Sequence, residues 1–227
     1  MDDVNRLSDD FLRMMRITVN SRFEAAKRLK RAAFVSFLTT VFASLGLILI
    51  PLIDIAGINK VFEPLVLTVF QIFLAVSVLV YSSVVGAANY QVRSKGFLEC
   101  ADKIKTLIDD FKFDRVNGSD CDIRNYNSKY RNLLHGSENH EEIDYIYALN
   151  DYNSKENSRM NKKDGFCSIF INNFNNFNIF DRRVYLKVLH FLSMYGIAFI
   201  LIIMEVIFVF DMLGISEIFK FLYSKNI

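Results

Sequence analysis

The strongest constraint in this sequence is an uncharged stretch, residues 32–53, which reads AAFVSFLTTVFASLGLILIPLI. As a helix with a rise of about 1.5 Å per residue it is about 33 Å long, and the hydrocarbon core of a bilayer is about 30 Å thick. A second uncharged stretch, residues 65–88, follows Pro64, a residue that suits the first turn of a helix. The connecting loop is short. We therefore predict a transmembrane hairpin over residues 32–89, with spans at 32–53 and 65–88.

A third apolar stretch covers residues 184–213 and contains Glu205 and Asp211. An acidic side chain at the centre of a span costs roughly 2.5–3.5 kcal/mol, and the many Ile, Phe, Leu and Val residues offset that cost. We predict a third, C-terminal span here, followed by a short tail, residues 214–227. Glu205 lies well inside this span. It is therefore a candidate functional group, unless it reaches outward to the membrane interface, which its place toward the far end favours.

Basic residues flank the outer ends of the hairpin: Arg22, Lys27, Arg28, Lys30, Arg31, Arg93 and Lys95. In the loop between the spans, Lys60 is the only basic residue. Because basic flanks stay in the cytoplasm, we expect the N-terminus and residues 90–183 to be cytoplasmic. The net charge of +2 gives no argument for direct nucleic acid binding.

The cytoplasmic segments carry helical periodicity. Residues 1–31 have apolar positions at steps of three and four and predict an amphipathic helix. Residues 90–150 predict a helical module whose first part continues the second span, to about Lys112, with a coiled-coil-like apolar seam and Gly96 as a loose join. Residues 151–183 read as a polar linker, followed by an Asn- and Phe-rich segment that is either interfacial or without fixed structure.

The stretch NHEEIDY, residues 139–145, raises the question of a metal site. His135 and His140 are five residues apart, whereas a zinc-binding helix places two histidines four apart on one face. The alternative is a helix start, in which Asn139 caps the helix and the following acidic residues complement its dipole. The spacing favours the helix start, and we predict no metal and no cofactor.

Chemistry of other kinds has no visible motif. The sequence lacks the glycine-rich phosphate loops and the GxSxG nucleophile elbow, and its three histidines are scattered. We therefore expect no enzymatic activity and no catalytic residue.

Small and mildly polar residues form a stripe on each of the first two spans. The stripe on the first span contains Ser36, Thr40 and Ser44, and that on the second contains Thr68, Gln71, Ser82 and Gly86. Such faces let helices pack closely in lipid. They either pack the hairpin against itself or form a subunit contact or pore wall, and both can hold at once.

The order of these features resembles the bacterial SLATT proteins, a group of small membrane effectors linked to conflict systems. The likeness covers roughly residues 10–150: an N-terminal helix with a basic end, the two-span hairpin, and the long helix that precedes NHEEIDY. In that family a Tyr, followed by an Asn-His pair and an acidic residue, recurs in the cytoplasmic helices. The matching positions here are Tyr130, Asn139, His140 and Asp144. The third span departs from the two-span pattern.

The resemblance implies an antiviral effector of the bacterial inner membrane that acts by abortive infection. Members are inferred to oligomerise through their spans and to act as pores when a partner signals. The implied partners are a nucleotide second-messenger synthase, a nucleotide sensor or a reverse transcriptase. Two other functions remain open: a non-toxic membrane sensor or scaffold, and a housekeeping channel subunit.

Overall fold

The structure, a computed structural model, describes residues 2–58, 62–117, 122–160 and 182–223. They form the helices α1 (Asp2–Ile55), α2 (Pro64–Ala88), α3 (Tyr90–Val116), α4 (Ile123–His135), α5 (Glu142–Met160) and α6 (Arg182–Met212), and a 3-10 turn, Lys220–Leu222. The described residues contain no β-strand, and one isolated bridge pairs Phe62 with Tyr223.

Three helical stretches are long and apolar enough to cross a membrane. They lie within Asn5–Ile55, within Pro64–Val116 and at Tyr195–Met212. The most apolar part of each has a mean hydropathy above 2. The predicted class, an all-α membrane protein with a hairpin and a third hydrophobic helix, is confirmed on length and composition.

The chain divides into two compact units. The first consists of residues 1–30 and 91–188, and the second of residues 31–90 and 189–227. Helix α1 contributes to both units without a break, whereas α2 belongs to the second and α3 to the first.

The core of the first unit forms where α1, α3 and α4 meet. Helices α1 and α3 run antiparallel: Phe11 packs edge-on against Phe111 near one end, and near the other the Ser94 hydroxyl donates to the Ala26 carbonyl at 2.9 Å. Helix α4 closes the core with two buried tyrosines, Tyr126 and Tyr130. The apolar seam predicted on α3 therefore packs within this unit, since Phe97, Ala101, Ile104, Ile108 and Phe111 are all buried.

The predicted uninterrupted helix from Pro64 to about Lys112 is wrong at one residue. Asn89 separates α2 from α3 and adopts the left-handed conformation, with φ 48° and ψ 39°. Asn tolerates this conformation better than most residues, because its short polar side chain bonds locally. Gly96, the join suggested by the sequence, lies inside α3.

The predicted linker is also wrong over its first part. Helix α5 continues to Met160, so residues 151–160 are helical. These residues are polar on all faces, so no apolar stripe marks them as a helix in the sequence. The Asn- and Phe-rich segment falls in residues 161–181, which lie outside the described residues, as do Cys121 and Lys60.

The second unit has a core built on stacked aromatic rings. Phe208 of α6 stacks on Phe62 and on Phe70, with centroids 4.8 and 3.6 Å apart. The chain after α6 folds back over the helix end because buried Asp211 accepts the backbone N–H groups of Ile218 and Phe219, at 3.2 and 2.6 Å.

Two phenylalanines on α3 test the assignment of the first core. Phe111 is fully buried and Phe113 is 68% exposed. Phe111→Ala should lower the free energy of unfolding by about 3–5 kcal/mol, because it leaves a cavity. Phe113→Ala should change it by less than about 0.5 kcal/mol. Urea denaturation in mild detergent, followed by circular dichroism, measures both, and equal effects would refute the assigned core.

Candidate functional site

Arg28 of α1 holds the start of α5 through a bidentate ion pair. Its Nε and Nη2 donate to the two carboxylate oxygens of Asp144, at 3.0 and 3.1 Å, and its Nη1 lies 2.9 Å from Glu141 Oε1. Asp144 is 1% exposed. Two parallel charge-assisted hydrogen bonds fix both the distance and the orientation of the helices. Arg28 therefore connects α1 to α5 with a defined geometry.

A second arginine of α1, Arg22, is almost completely buried. Its Nη1 donates to the Glu138 carbonyl, and its guanidinium lies over the Phe97 ring, 5.4 Å from the centroid. Its Nε has no hydrogen-bond partner among the described residues. Burying a cation is costly unless it finds hydrogen-bond acceptors. The stability of this region therefore depends on the position of the α4–α5 loop, which provides the Glu138 carbonyl to Arg22.

Glu138 in the same loop also meets α3. Arg93 donates to its carboxylate, with Nε 2.9 Å from Oε2. This hydrogen bond holds the pKa of Glu138 below its ordinary value, burial acts in the opposite direction, and the charges of Arg93, Arg28 and Arg22 lower the pKa further. We call Arg22, Arg28, Arg93, Glu138, Glu141 and Asp144 the arginine–carboxylate cluster.

The four residues matched to the family motif lie in and around this cluster. Tyr130 is buried, and its hydroxyl shares a 2.8 Å hydrogen bond with the Thr18 hydroxyl. Asp144 is the buried partner of Arg28. Asn139 is exposed in the loop, and His140 is partly buried beside Tyr145, with ring centroids 6.4 Å apart.

The predicted capping role of Asn139 is wrong. Helix α5 begins at Glu142, so Asn139 precedes the capping position at Glu141. The Glu141 N–H donates to Asp144 Oδ2 at 3.1 Å, which is the return half of a capping box. Asp144 thus serves two purposes, the helix start and the Arg28 pair.

His140 is held in a setting that disfavours its charged form. Burial lowers the pKa of the imidazole below its ordinary value and Arg22 lowers it further, while Asp144 acts in the opposite direction. Its Nδ1 is buried without a hydrogen-bond partner in the described part of the chain. Within that part, no group of three or more His, Cys, Asp or Glu side chains comes together as a metal site would require.

From the sequence, Arg22 and Arg28 are predicted only as flanking charges of the first span. A signal for Arg22 was present, because it continues the helical spacing of Met15, Val19, Ala26 and Leu29, which are all buried. A charged residue in register with an apolar stripe indicates a buried group rather than a solvated one.

The second unit contains the predicted intramembrane acid. Glu205 is 8% exposed and lies against Gly46 of α1, where an added Cβ would overlap its carboxylate. Its Oε2 is buried without a partner in the described residues. The carboxylate therefore packs between the two helices, where the missing side chain of Gly46 leaves room for it, and its reach toward the membrane interface stays a prediction.

The small-residue stripe of α1 is only partly the face that packs. Between residues 36 and 46, the buried positions are Ser36, Thr39, Ala43 and Gly46. Thr40 and Ser44 are half-buried at the edge of this seam, and their hydroxyls donate to the Ser36 and Thr40 carbonyls. The buried positions follow one another at alternating steps of three and four, as residues on one face of a helix do. Ser36, Thr40 and Ser44 are each four residues apart, so successive members turn away from that face.

The stripe of α2 lies beside its packed face. Leu67 and Leu74 make the buried contacts of α2, while Thr68 and Gly86 are exposed and Gln71 and Ser82 are half-buried. The hydroxyls of Thr68 and Ser82 donate to backbone carbonyls of their own helix. The described residues therefore leave Thr68 and Gly86 uncovered and cover Gln71 and Ser82 only in part.

Comparison with known families decides the relationship. Residues 6–210 match the family model described as SMODS and SLOG-associating 2TM effector domain family 5. The chain belongs to this SLATT family. The match includes most of α6, so the likeness extends well beyond the residues 10–150 inferred from sequence, and the third hydrophobic helix lies inside the matched region. Comparisons with curated proteins and with solved structures gave no match.

The buried ion pair of this SLATT chain can be tested against its exposed neighbour. Asp144→Ala removes the buried, bidentate partner of Arg28, whose side chain is only 12% exposed, and should lower the free energy of unfolding by about 3–5 kcal/mol. Glu141→Ala removes the 47% exposed partner of the same arginine and should cost less than about 1 kcal/mol. Urea denaturation measures both variants, and a similar loss in the two would contradict the assignment.

The lowered pKa of His140 gives the SLATT chain a pH-dependent stability. The unfolded imidazole, with its ordinary pKa of 6.5, takes up a proton first as the pH falls. Its contribution is therefore complete above about pH 6.5 and is lost as the pH falls through the lower folded pKa. His140→Gln should flatten the thermal midpoint between pH 7.5 and 5.5, and the exposed control His135→Gln should retain the slope. An unchanged slope in His140→Gln would exclude this role.

Proposed function

We propose that the chain is an effector of the bacterial inner membrane that oligomerises through its spans and permeabilises the bilayer when a partner signals. The supporting observation is the exposure of α2: only 11% of its most apolar segment is buried within the chain. So apolar a helix is stable only against lipid or other membrane helices. The chain therefore offers most of α2 to lipid and to further copies.

The uncovered stripe of α2 supports a homo-oligomer. Thr68, Gln71, Ser82 and Gly86 lie together on one side of the helix, beside the packed leucines. Small residues allow close approach of helices, and Gln71 provides a polar side chain that lipid does not satisfy. We propose that this stripe lies against neighbouring copies and, in the active assembly, lines the pore.

The contacts of α1 support a closed resting arrangement. The arginine–carboxylate cluster fixes α1 in the first unit, and the seam with Gly46 and Glu205 fixes it in the second. Both sets of contacts act on one uninterrupted helix. We propose that a signal received by the first unit alters how α1 is held and so releases the spans.

The basic residues that flank the hairpin support a topology for the chain. We propose that the first unit lies in the cytoplasm, where a nucleotide second-messenger synthase, a nucleotide sensor or a reverse transcriptase acts as the partner. The family name describes effector domains that associate with other domains, which supports a function that requires a partner protein.

Expression in bacteria tests this function. Cells that make the chain together with the activated product of a neighbouring gene should lose membrane potential and admit propidium, because ions cross the bilayer. Cells that make either protein alone should keep both barriers. Normal growth and potential with a verified, active partner would favour the scaffold function instead, and a stable complex with that partner would then be expected.

A pair of glycine variants tests the closed arrangement. Gly46→Ala forces the Glu205 carboxylate away from α1, whereas a Cβ at Gly196 meets nothing within 4 Å. Gly46→Ala should depolarise cells without a partner, because the seam between α1 and α6 is loosened. Gly196→Ala should behave as the natural chain. If the two variants are indistinguishable at equal membrane levels, the seam does not hold the closed state.

A further inference from the structure

The first unit contains a cavity that the proposed function does not use. It opens between α1, α3 and α5 and has a volume of about 650 Å³. This is within the usual range for small-molecule sites, about 300–1,000 Å³. The cavity is separate from the arginine–carboxylate cluster, none of whose members lines it.

The rim of the cavity carries more positive than negative charge. Four cations line it, Arg16, Lys105, Lys112 and Lys155, against the single carboxylate of Asp109. Lys112 pairs with Asp109 at 3.0 Å and Lys155 pairs with Asp151 at 2.6 Å, each within its own helix. Arg16 and Lys105 form no ion pair with a described residue. Two cations from different helices are thus available to an anion.

The wall of the cavity is aromatic and apolar. Phe23 of α1 and Tyr152 of α5 are both half-buried, and the lining residues Val19 and Ile108 are buried. The Arg13 guanidinium lies over the Tyr152 ring, 5.7 Å from its centroid. Asn20 also lines the cavity and provides an amide that both donates and accepts hydrogen bonds.

We propose that this cavity binds a nucleotide. The flat base lies against Phe23 and Tyr152, where stacking on an aromatic ring is favourable for any base. The phosphates meet Arg16 and Lys105, since Arg offers a fork of donors to phosphate oxygens and Lys a point charge. Inorganic phosphate satisfies only the rim, and a lipid headgroup has no flat ring for the wall. The nucleotide is the ligand that uses both.

Binding of the nucleotide does not depend on pore formation, so the two proposals fail separately. A bound nucleotide would touch three helices of the first unit at once. It would therefore favour one arrangement of α1, α3 and α5 over others, as any ligand does that binds one state better.

Calorimetry on the full chain in phosphatidylcholine nanodiscs tests the proposal, with ATP, GTP and cyclic di-AMP as probes. At least one should bind saturably. Arg16→Glu and Lys105→Glu should weaken that binding by about tenfold or more, because each loses a charge-assisted contact. Lys103→Glu, an exposed charge reversal on another face of α3, should leave it unchanged. All three side chains are exposed, so their helix content should stay that of the natural chain.

The aromatic wall separates a nucleotide from other phosphates. Tyr152→Ala should weaken nucleotide binding, and Tyr152→Phe, which keeps the ring, should restore it. Pyrophosphate should bind more weakly than the nucleotide and should not respond to Tyr152→Ala. Nanodiscs that contain phosphatidylglycerol should leave nucleotide binding in place. Failure of all three nucleotides to bind, equal affinity for pyrophosphate, or loss of binding on anionic lipid would overturn the proposal.

Discussion

Two arginines on one helix, of which Arg22 is buried and Arg28 largely buried, are the constraint on which the first unit depends. Both lie on α1, and the loop and helix start that accept their hydrogen bonds come from more than 100 residues later in the chain. Displacing the loop from Arg22, or removing Asp144 from Arg28, would leave a cation with little access to water short of an acceptor, which costs far more than a lost surface contact. The segment around NHEEIDY is therefore a set of acceptors for arginines rather than a site of chemistry.

The second unit has a comparable polar contact in an apolar setting. Glu205 is tolerated between α1 and α6 because Gly46 has no side chain to exclude it. Polar groups inside membrane helices generally face other helices rather than lipid, and this arrangement follows that rule. Since α1 carries both the arginines and Gly46, the same helix is committed to specific contacts in each unit.

The sequence predicted most clearly what depends on composition and least what depends on tertiary partners. The first two hydrophobic helices can be predicted because their sequences are long and uncharged, a property that does not depend on tertiary contacts. The break at Asn89 was missed because apolar spacing continues across it, and the end of α5 because a polar helix end has no stripe to recognise. The position of Glu205 along α6 does not reveal what surrounds its side chain, because the space for its carboxylate is left by Gly46 on α1.

The central claim is that this SLATT chain permeabilises a membrane only when a partner acts on it. The most direct measurement is the current across a planar lipid bilayer containing the purified full chain, recorded before and after addition of the activated partner. The account predicts a silent bilayer before addition and discrete conductance steps afterwards. A bilayer that stays silent with a partner proven to bind the chain, or that conducts equally without it, would contradict the account.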